Sequence, residues 1–242
     1  MSHKSGDTMG KIREFADYTS LAKFIYDMYV KELGDGSEGT VYLGKDGYAY
    51  KLYYEDAWSS DTDTLVPEKI ITTDDVDLEC FAFPYEIYTV DGKVKGAKMK
   101  FIRRDLISTE HTVCYSDFFD VDIYKFYEAY QRLLEDVKSL SELKIQLFDV
   151  LNNVMFDGKK LTVIDTFYYT KEEYETLEKN IHILEAAIES IFNFWLENAR
   201  LKEMSITNHD VLAYLENVFD AMSGKNKSEK FLYDEIISKK KR

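Results

Sequence analysis

The hydrophobic pattern of this 242-residue chain changes its period partway along, and that change limits the folds open to it. From Lys31 to about Ile102, apolar residues come in short β-branched and aromatic runs. These runs are broken by glycines and Asp-Gly pairs, as in "GKDG" at 44–47 and "VDGKVKG" at 90–96, a pattern that predicts antiparallel strands joined by tight turns. From Val121 the spacing is helical, with Ile123, Phe126, Tyr130, Leu133, Val137 and Leu140 in one stripe. A short hairpin follows, reading "NNVMF", "DGKK", "LTVID". Thr170 and Glu173 then match a capping box, which predicts a helix with Tyr174, Leu177, Ile181, Leu184, Ile188, Ile191 and Trp195 inward. Thr207 and Asp210 predict another, carrying Leu212, Leu215, Phe219 and Met222 and ended by Gly224. Residues 11–30 read as one amphipathic helix or two short ones. Strands first and helices after predict an α+β protein with two segregated lobes, 1–102 β-rich and 103–242 helical, in a single domain.

Composition narrows the function classes. With 19 Tyr, 15 Phe and 45% hydrophobic residues, the chain can bury a core despite its net charge of -14. That acidic balance repels phosphate backbones and argues against nucleic acid as a partner. No apolar run is long enough to cross a bilayer and the first twenty residues hold no apolar signal core, so a cytoplasmic protein without membrane contact is expected. The terminal "KKKR" reads as a solvated tail. Cys80 and Cys114 stand apart from each other and from any histidine cluster, so both are expected to be reduced core residues. The four histidines lie near no nucleophile motif, which argues against a catalytic triad.

Gly34, Gly36 and Gly39 spell G-x-G-x-x-G. A dinucleotide-binding fold needs a helix directly after the last glycine. Here the continuation is "TVYLGKDGYAYKLYY", two strand-like runs around Asp46-Gly47, so the glycines lie between strands. Such a turn lets backbone N–H groups approach a polyphosphate, and Lys51 on the following strand places an ammonium between apolar neighbours.

These residues resemble the protein-kinase-like superfamily. "YAYK", ending at Lys51, has the pattern of that family's V-A-I-K strand lysine, and "IQLFDVLNNVMFDGKKLTVIDTFYY" supplies Asp, Asn and Asp in the family's order. The resemblance implies an atypical, compact member that binds ATP and Mg²⁺. Lys51, Gly34, Gly36, Gly39 and Val41 would hold the nucleotide. Asn153 and Asp165 would hold the metal, and Asp149 would serve as the catalytic Asp. Glu68 is the candidate partner of Lys51, a solvated glutamate being the other reading. Met99, ahead of a hinge near 100–102, borders the adenine or is plain core.

Departures set this chain apart from a conventional protein kinase. Leu147-Phe148 stand where His-Arg precede the catalytic Asp, the Asp-to-Asn spacing is one residue shorter, and "DTF" replaces D-F-G. A helix opening at Thr170 would leave no activation segment and no A-P-E. Two functions follow: a phosphotransferase acting on an unknown small-molecule or protein acceptor, or a pseudokinase working as a nucleotide-binding or protein-interaction module.

Overall fold

The computed structural model describes residues 11–55, 65–102, 105–107 and 123–198. The expectations for the second capping box, the KKKR tail, Cys114 and His3, His111 and His209 lie outside the described residues. In chain order the elements are β1 (Lys11–Phe15), α1 (Tyr18–Met28), β2 (Tyr29–Asp35), β3 (Gly39–Gly44), β4 (Ala49–Tyr53), β5 (Pro84–Val90), β6 (Lys93–Met99) and β7 (Asp105–Ile107). They continue with α2 (Ile123–Glu142), β8 (Ile145–Gln146), β9 (Val154–Phe156), β10 (Leu161–Val163), β11 (Thr170–Lys171) and α3 (Leu177–Asn198). The fold is mixed α and β, rich in sheet.

The chain divides into two compact units. The first comprises Met1–Arg103, Asp136–Phe148 and Thr162–Leu177; the second comprises Arg104–Glu135, Asp149–Leu161 and Glu178–Arg242. In the first, six strands form one sheet in the order β1-β5-β6-β4-β3-β2. All pairings within 31–102 are antiparallel, as the turn-rich pattern predicts.

The sheet buries both faces. On one, Leu21 and Ile25 of α1 pack with Tyr42, Tyr50, Leu52, Tyr88 and Val90. On the other, Ala49, Tyr53, Ile87, Val94, Ala97 and Met99 pack with Ile70 and Phe167. Strand β4 is buried at every position because it is central in the sheet and covered on both sides. In the second unit β7 pairs antiparallel with β9, and Phe126 of α2 meets Phe156 edge to face at 5.2 Å. Of the expected α2 stripe, Phe126, Leu133, Val137 and Leu140 are buried, whereas Tyr130 is half-buried and Ala129 beside it is buried.

Two expectations are corrected. Residues 11–15 are a strand parallel to β5, not helix. Ile12 packs in the Phe167 cluster and Phe15 in the α1 cluster, an opposition of residues three apart that a strand produces and a helix does not. The helix starts only after Asp17, whose carboxylate accepts the Ser20 N–H at 2.6 Å and so satisfies a free first-turn donor.

The Thr170 capping box is likewise not formed. Thr170 and Lys171 pair with Gln146 and Ile145, and the Thr170 hydroxyl bonds to Glu172, one residue short of the box partner. Tyr174 and Leu177, both expected inward, are exposed, and Tyr174 donates its hydroxyl to Gln146 at 2.8 Å. Helix α3 therefore begins at Leu177.

Candidate functional site

The pleat of β4 decides where Lys51 points. Alternation sends Tyr50 and Leu52 toward α1 and leaves Ala49, Lys51 and Tyr53 on the opposite face. Lys51 lies opposite Val41 on β3 and Ala97 on β6, while Met99 lies opposite Ala49. Three of the expected nucleotide residues, Val41, Lys51 and Met99, thus share one face. Met99 is buried there among the core side chains.

Asp165 reaches the same face from the other end of the first unit. The end of β10 is fastened to residues 80–82, with Val163 N–H donating to the Cys80 carbonyl at 2.8 Å and Ala82 N–H to the Val163 carbonyl at 2.9 Å. The Cys80 N–H in turn donates to the Asp136 carboxylate at 2.7 Å. Two residues past that anchor, Asp165 takes a left-handed backbone (φ 57°, ψ 50°) before the 3₁₀ turn Thr166–Tyr168. Asp is among the few residues that accept this conformation at modest cost.

The Lys51 ammonium, in a residue only 7% exposed, donates to Asp165 Oδ1 at 2.8 Å. A second carboxylate, Glu38 of the glycine-rich turn, lies 3.4 Å away. The Tyr168 hydroxyl donates to the other Glu38 oxygen at 3.0 Å. Below the ammonium are two aromatic faces, Tyr53 at 4.6 Å and Phe167 at 5.4 Å, which attract a cation through their ring quadrupoles. Burial, followed by the negative charges of Asp165 and Glu38, pushes the Tyr53 phenol well above its ordinary range. Its hydroxyl has no hydrogen-bond partner among the described residues.

Of the two readings of Glu68, partner of Lys51 or solvated glutamate, the first is corrected and the second fits. Glu68 is exposed on the 3₁₀ turn Pro67–Lys69, along a cavity of about 520 Å³ with Lys69, Ile70 and Lys171. Among the described residues the carboxylates on Lys51 are Glu38 and Asp165. Glu38, Tyr168, Tyr53 and Phe167 went unnoticed in the sequence. For Tyr53 a signal existed, since two positions past Lys51 on a strand is the same face.

Of the three glycines expected between strands only Gly36 lies in the turn, Gly34 being in β2 and Gly39 at the start of β3, and they do different work. A Cβ at Gly39 would overlap the Leu52 carbonyl and come within 2.7 Å of Tyr53 Cα, so strand packing alone demands glycine there. At Gly34 nothing lies within 4 Å, and at Gly36 only the Gly39 carbonyl at 3.8 Å does, so packing does not explain either. The turn is braced at its ends. Gly36 N–H donates to the Gly39 carbonyl at 3.0 Å, and Asp35 accepts from the Thr40 and Tyr54 hydroxyls.

In the second unit Asp149 and Asn153 occupy one exposed turn. Asp149 has φ 40°, and the Asn153 carboxamide donates to its carbonyl at 2.8 Å and, more weakly, to its carboxylate at 3.4 Å. Asn152 donates to the other carboxylate oxygen at 3.3 Å. The D-x-x-x-N spacing thus folds the amide back over the acid.

Among the described residues no helix is long and apolar enough to cross a membrane. Nor does any group of three or more His, Cys, Asp or Glu there form a metal cage. No family model and no curated protein matches the chain. Among solved structures, that of an apo pseudokinase is similar to it, with a TM-score of 0.53 and 15% identity over 93% of this chain and 92% of that one. At such identity the likeness carries the fold alone, and the fold it carries is kinase-like.

Proposed function

We propose that this chain is an atypical kinase-like phosphotransferase that binds ATP with Mg²⁺ and passes the terminal phosphoryl group to a hydroxyl of a small-molecule or protein acceptor. One observation carries the reading: a nearly buried strand lysine meets an aspartate 114 positions later in the chain, under a glycine-rich turn, with Gly34 and Gly36 left open by the packing. The residues suit a magnesium nucleotide. Mg²⁺ is held through one or two carboxylates plus the phosphates themselves, so a site without an all-protein cage is what that ion takes. Asp165 offers such a carboxylate and Lys51 a compact charge for phosphate oxygens.

Bound ATP and Mg²⁺ would supply the transferable phosphoryl group and the cation that offsets its charge. The chain's own residues would position and discharge. Lys51 would hold phosphate oxygens, Val41 and Met99 would flank the base, Asp165 and Asn153 are the candidate metal ligands, and Asp149 would take the proton of the acceptor hydroxyl as its oxygen bonds to phosphorus. The bond from phosphorus to the bridging oxygen would break, and ADP would leave with that electron pair.

A second reading, a pseudokinase acting through nucleotide or protein contacts, is favoured by the Asp149 carboxylate, which already accepts from two carboxamides. The similar solved structure is itself called a pseudokinase.

Thermal melting with and without ATP and Mg²⁺ tests both. At 100 times its Kd a ligand adds about 2.7 kcal/mol, a clear rise in Tm. The rise should vanish in Asp165→Ala. No rise in the unaltered chain overturns the phosphotransferase and leaves of the second reading only action through protein contacts, whereas a rise without phosphoryl transfer to any acceptor leaves a pseudokinase that binds nucleotide.

A further inference from the structure

We propose that Glu38, carried by the glycine-rich turn itself, is the positioning residue for Lys51 and leaves Asp165 available to the metal; this rests on the nucleotide-binding reading above. Glu38 is fixed at both ends. Its carbonyl accepts the Tyr54 N–H at 2.9 Å, just past β4, and its carboxylate is shared between the Tyr168 hydroxyl and the Lys51 ammonium. Among the described residues between β4 and β5 there is a 3₁₀ turn and no α-helix, and its glutamate, Glu68, is exposed. The turn therefore supplies the carboxylate.

Charge balance shows why a second carboxylate is needed. One ammonium faces two carboxylates, and the shorter contact is to Asp165. A divalent cation placed on Asp165 competes with Lys51 for the same oxygens, and a lysine with no other anchor would compete hardest. Glu38 keeps a hold on Lys51 when Asp165 turns to the cation. Its extra negative charge also makes the cluster attractive to a nucleotide that arrives with its metal and unattractive to one without. The Tyr168 hydroxyl orients Glu38 for this task.

The test uses the full chain with Glu38→Gln, which keeps size and loses charge, and Tyr168→Phe. Calorimetric titration with ATP is run at several Mg²⁺ concentrations. Outer-shell partners of metal ligands are typically worth roughly 10- to 100-fold in metal affinity. Glu38→Gln should raise the Mg²⁺ needed for half-saturation by about that factor, with Tyr168→Phe moving it less in the same direction. Unchanged or tighter binding in Glu38→Gln overturns the proposal, tighter binding marking Glu38 as a barrier to phosphate.

A second measurement needs no nucleotide: acylation of Lys51 by acetic anhydride, followed by mass spectrometry. The rate should rise several-fold in Glu38→Gln while far-ultraviolet dichroism stays the same, and an unchanged rate overturns the hold. If the unaltered chain binds no Mg-ATP, the proposed function falls and acylation alone decides whether Glu38 restrains Lys51.

Discussion

Lys51 and Asp149 both carry charge that the proposed reaction needs, yet the chain treats them in opposite ways. Lys51 is sunk between two aromatic faces and two carboxylates, the carboxylates coming from different segments of the first unit. Asp149 is exposed, and its partners are the carboxamides three and four residues on. A buried ammonium must be paired, so its partners are part of the fold. An exposed carboxylate held by local bonds can change partner at little cost. On the proposed function, binding would rest on the core and reaction on an exposed turn, and a pseudokinase that still binds nucleotide would differ from a phosphotransferase in the second feature.

The largest expected effect separates the two. Asp149→Asn should lower phosphoryl transfer by about 10²- to 10⁴-fold, the usual span for a general base, while the nucleotide-induced rise in Tm persists. Initial rates and melting curves on one preparation check this. Loss of the Tm rise would mean that Asp149 also serves binding and the contrast fails.

Lys51→Met should do the reverse and damage the fold as well. It leaves Asp165 and Glu38 facing one another without a cation, at a cost of about 2 kcal/mol for lost bonds to a charged group. The urea midpoint of the nucleotide-free chain reads that cost. A midpoint at or above the unaltered value would show that Lys51 contributes nothing to stability and is held there for ligand alone.

The legible parts of this chain were those written in local periodicity. The antiparallel strands of 31–102 and most of the α2 stripe follow from spacing, whereas the register that puts Val41, Lys51 and Met99 on one face does not. Tertiary pairing was not legible. Residues 11–15 carry apolar spacing compatible with a helix, and only the unpaired edge of β5 makes them a strand. Thr170 and Glu173 meet the composition of a cap, yet β8 offers Thr170 and Lys171 ladder bonds. For Glu68 the sequence left two readings open, partner of Lys51 or solvated glutamate, and only the fold separates them. Glu38 reaches the lysine because β3–β4 pairing, Gly39 opposite Tyr53, brings together two residues that stand thirteen apart in sequence.

The glycine turn carries the comparison to smaller energies. Gly39→Ala pushes a methyl into the backbone of β4 and should destabilise by about 1–3 kcal/mol, as overpacking does. Gly34→Ala and Gly36→Ala meet open space and should stay within about 0.5 kcal/mol of the unaltered chain. If either weakens Mg-ATP binding in spite of unchanged stability, that glycine is kept for the ligand. If Gly39→Ala is silent in urea, β4 is less tightly held than its burial implies.

The smallest effect concerns an ordinary ion pair that serves as the control for Lys51. Lys98, on β6 of the same sheet, donates to Asp46 of the β3–β4 turn at 2.8 Å, in partial contact with solvent. Burial raises the Asp46 carboxyl, but bonds from Lys98, the Tyr50 hydroxyl and the Tyr48 N–H outweigh it, and the group lies below its ordinary value of 3.8. A carboxylate whose folded value is depressed contributes stability above the unfolded value and loses it as pH falls through the folded one. The contribution should thus be whole at pH 6 and decline below about pH 4. An exposed pair of this kind is worth at most about 1 kcal/mol. Lys98→Met should flatten the acid limb of the stability curve slightly and leave nucleotide binding untouched. A loss as large as that of Lys51→Met would show that burial is not what distinguishes the two lysines, and the special standing given to the Lys51 cluster would have to rest on its ligand alone.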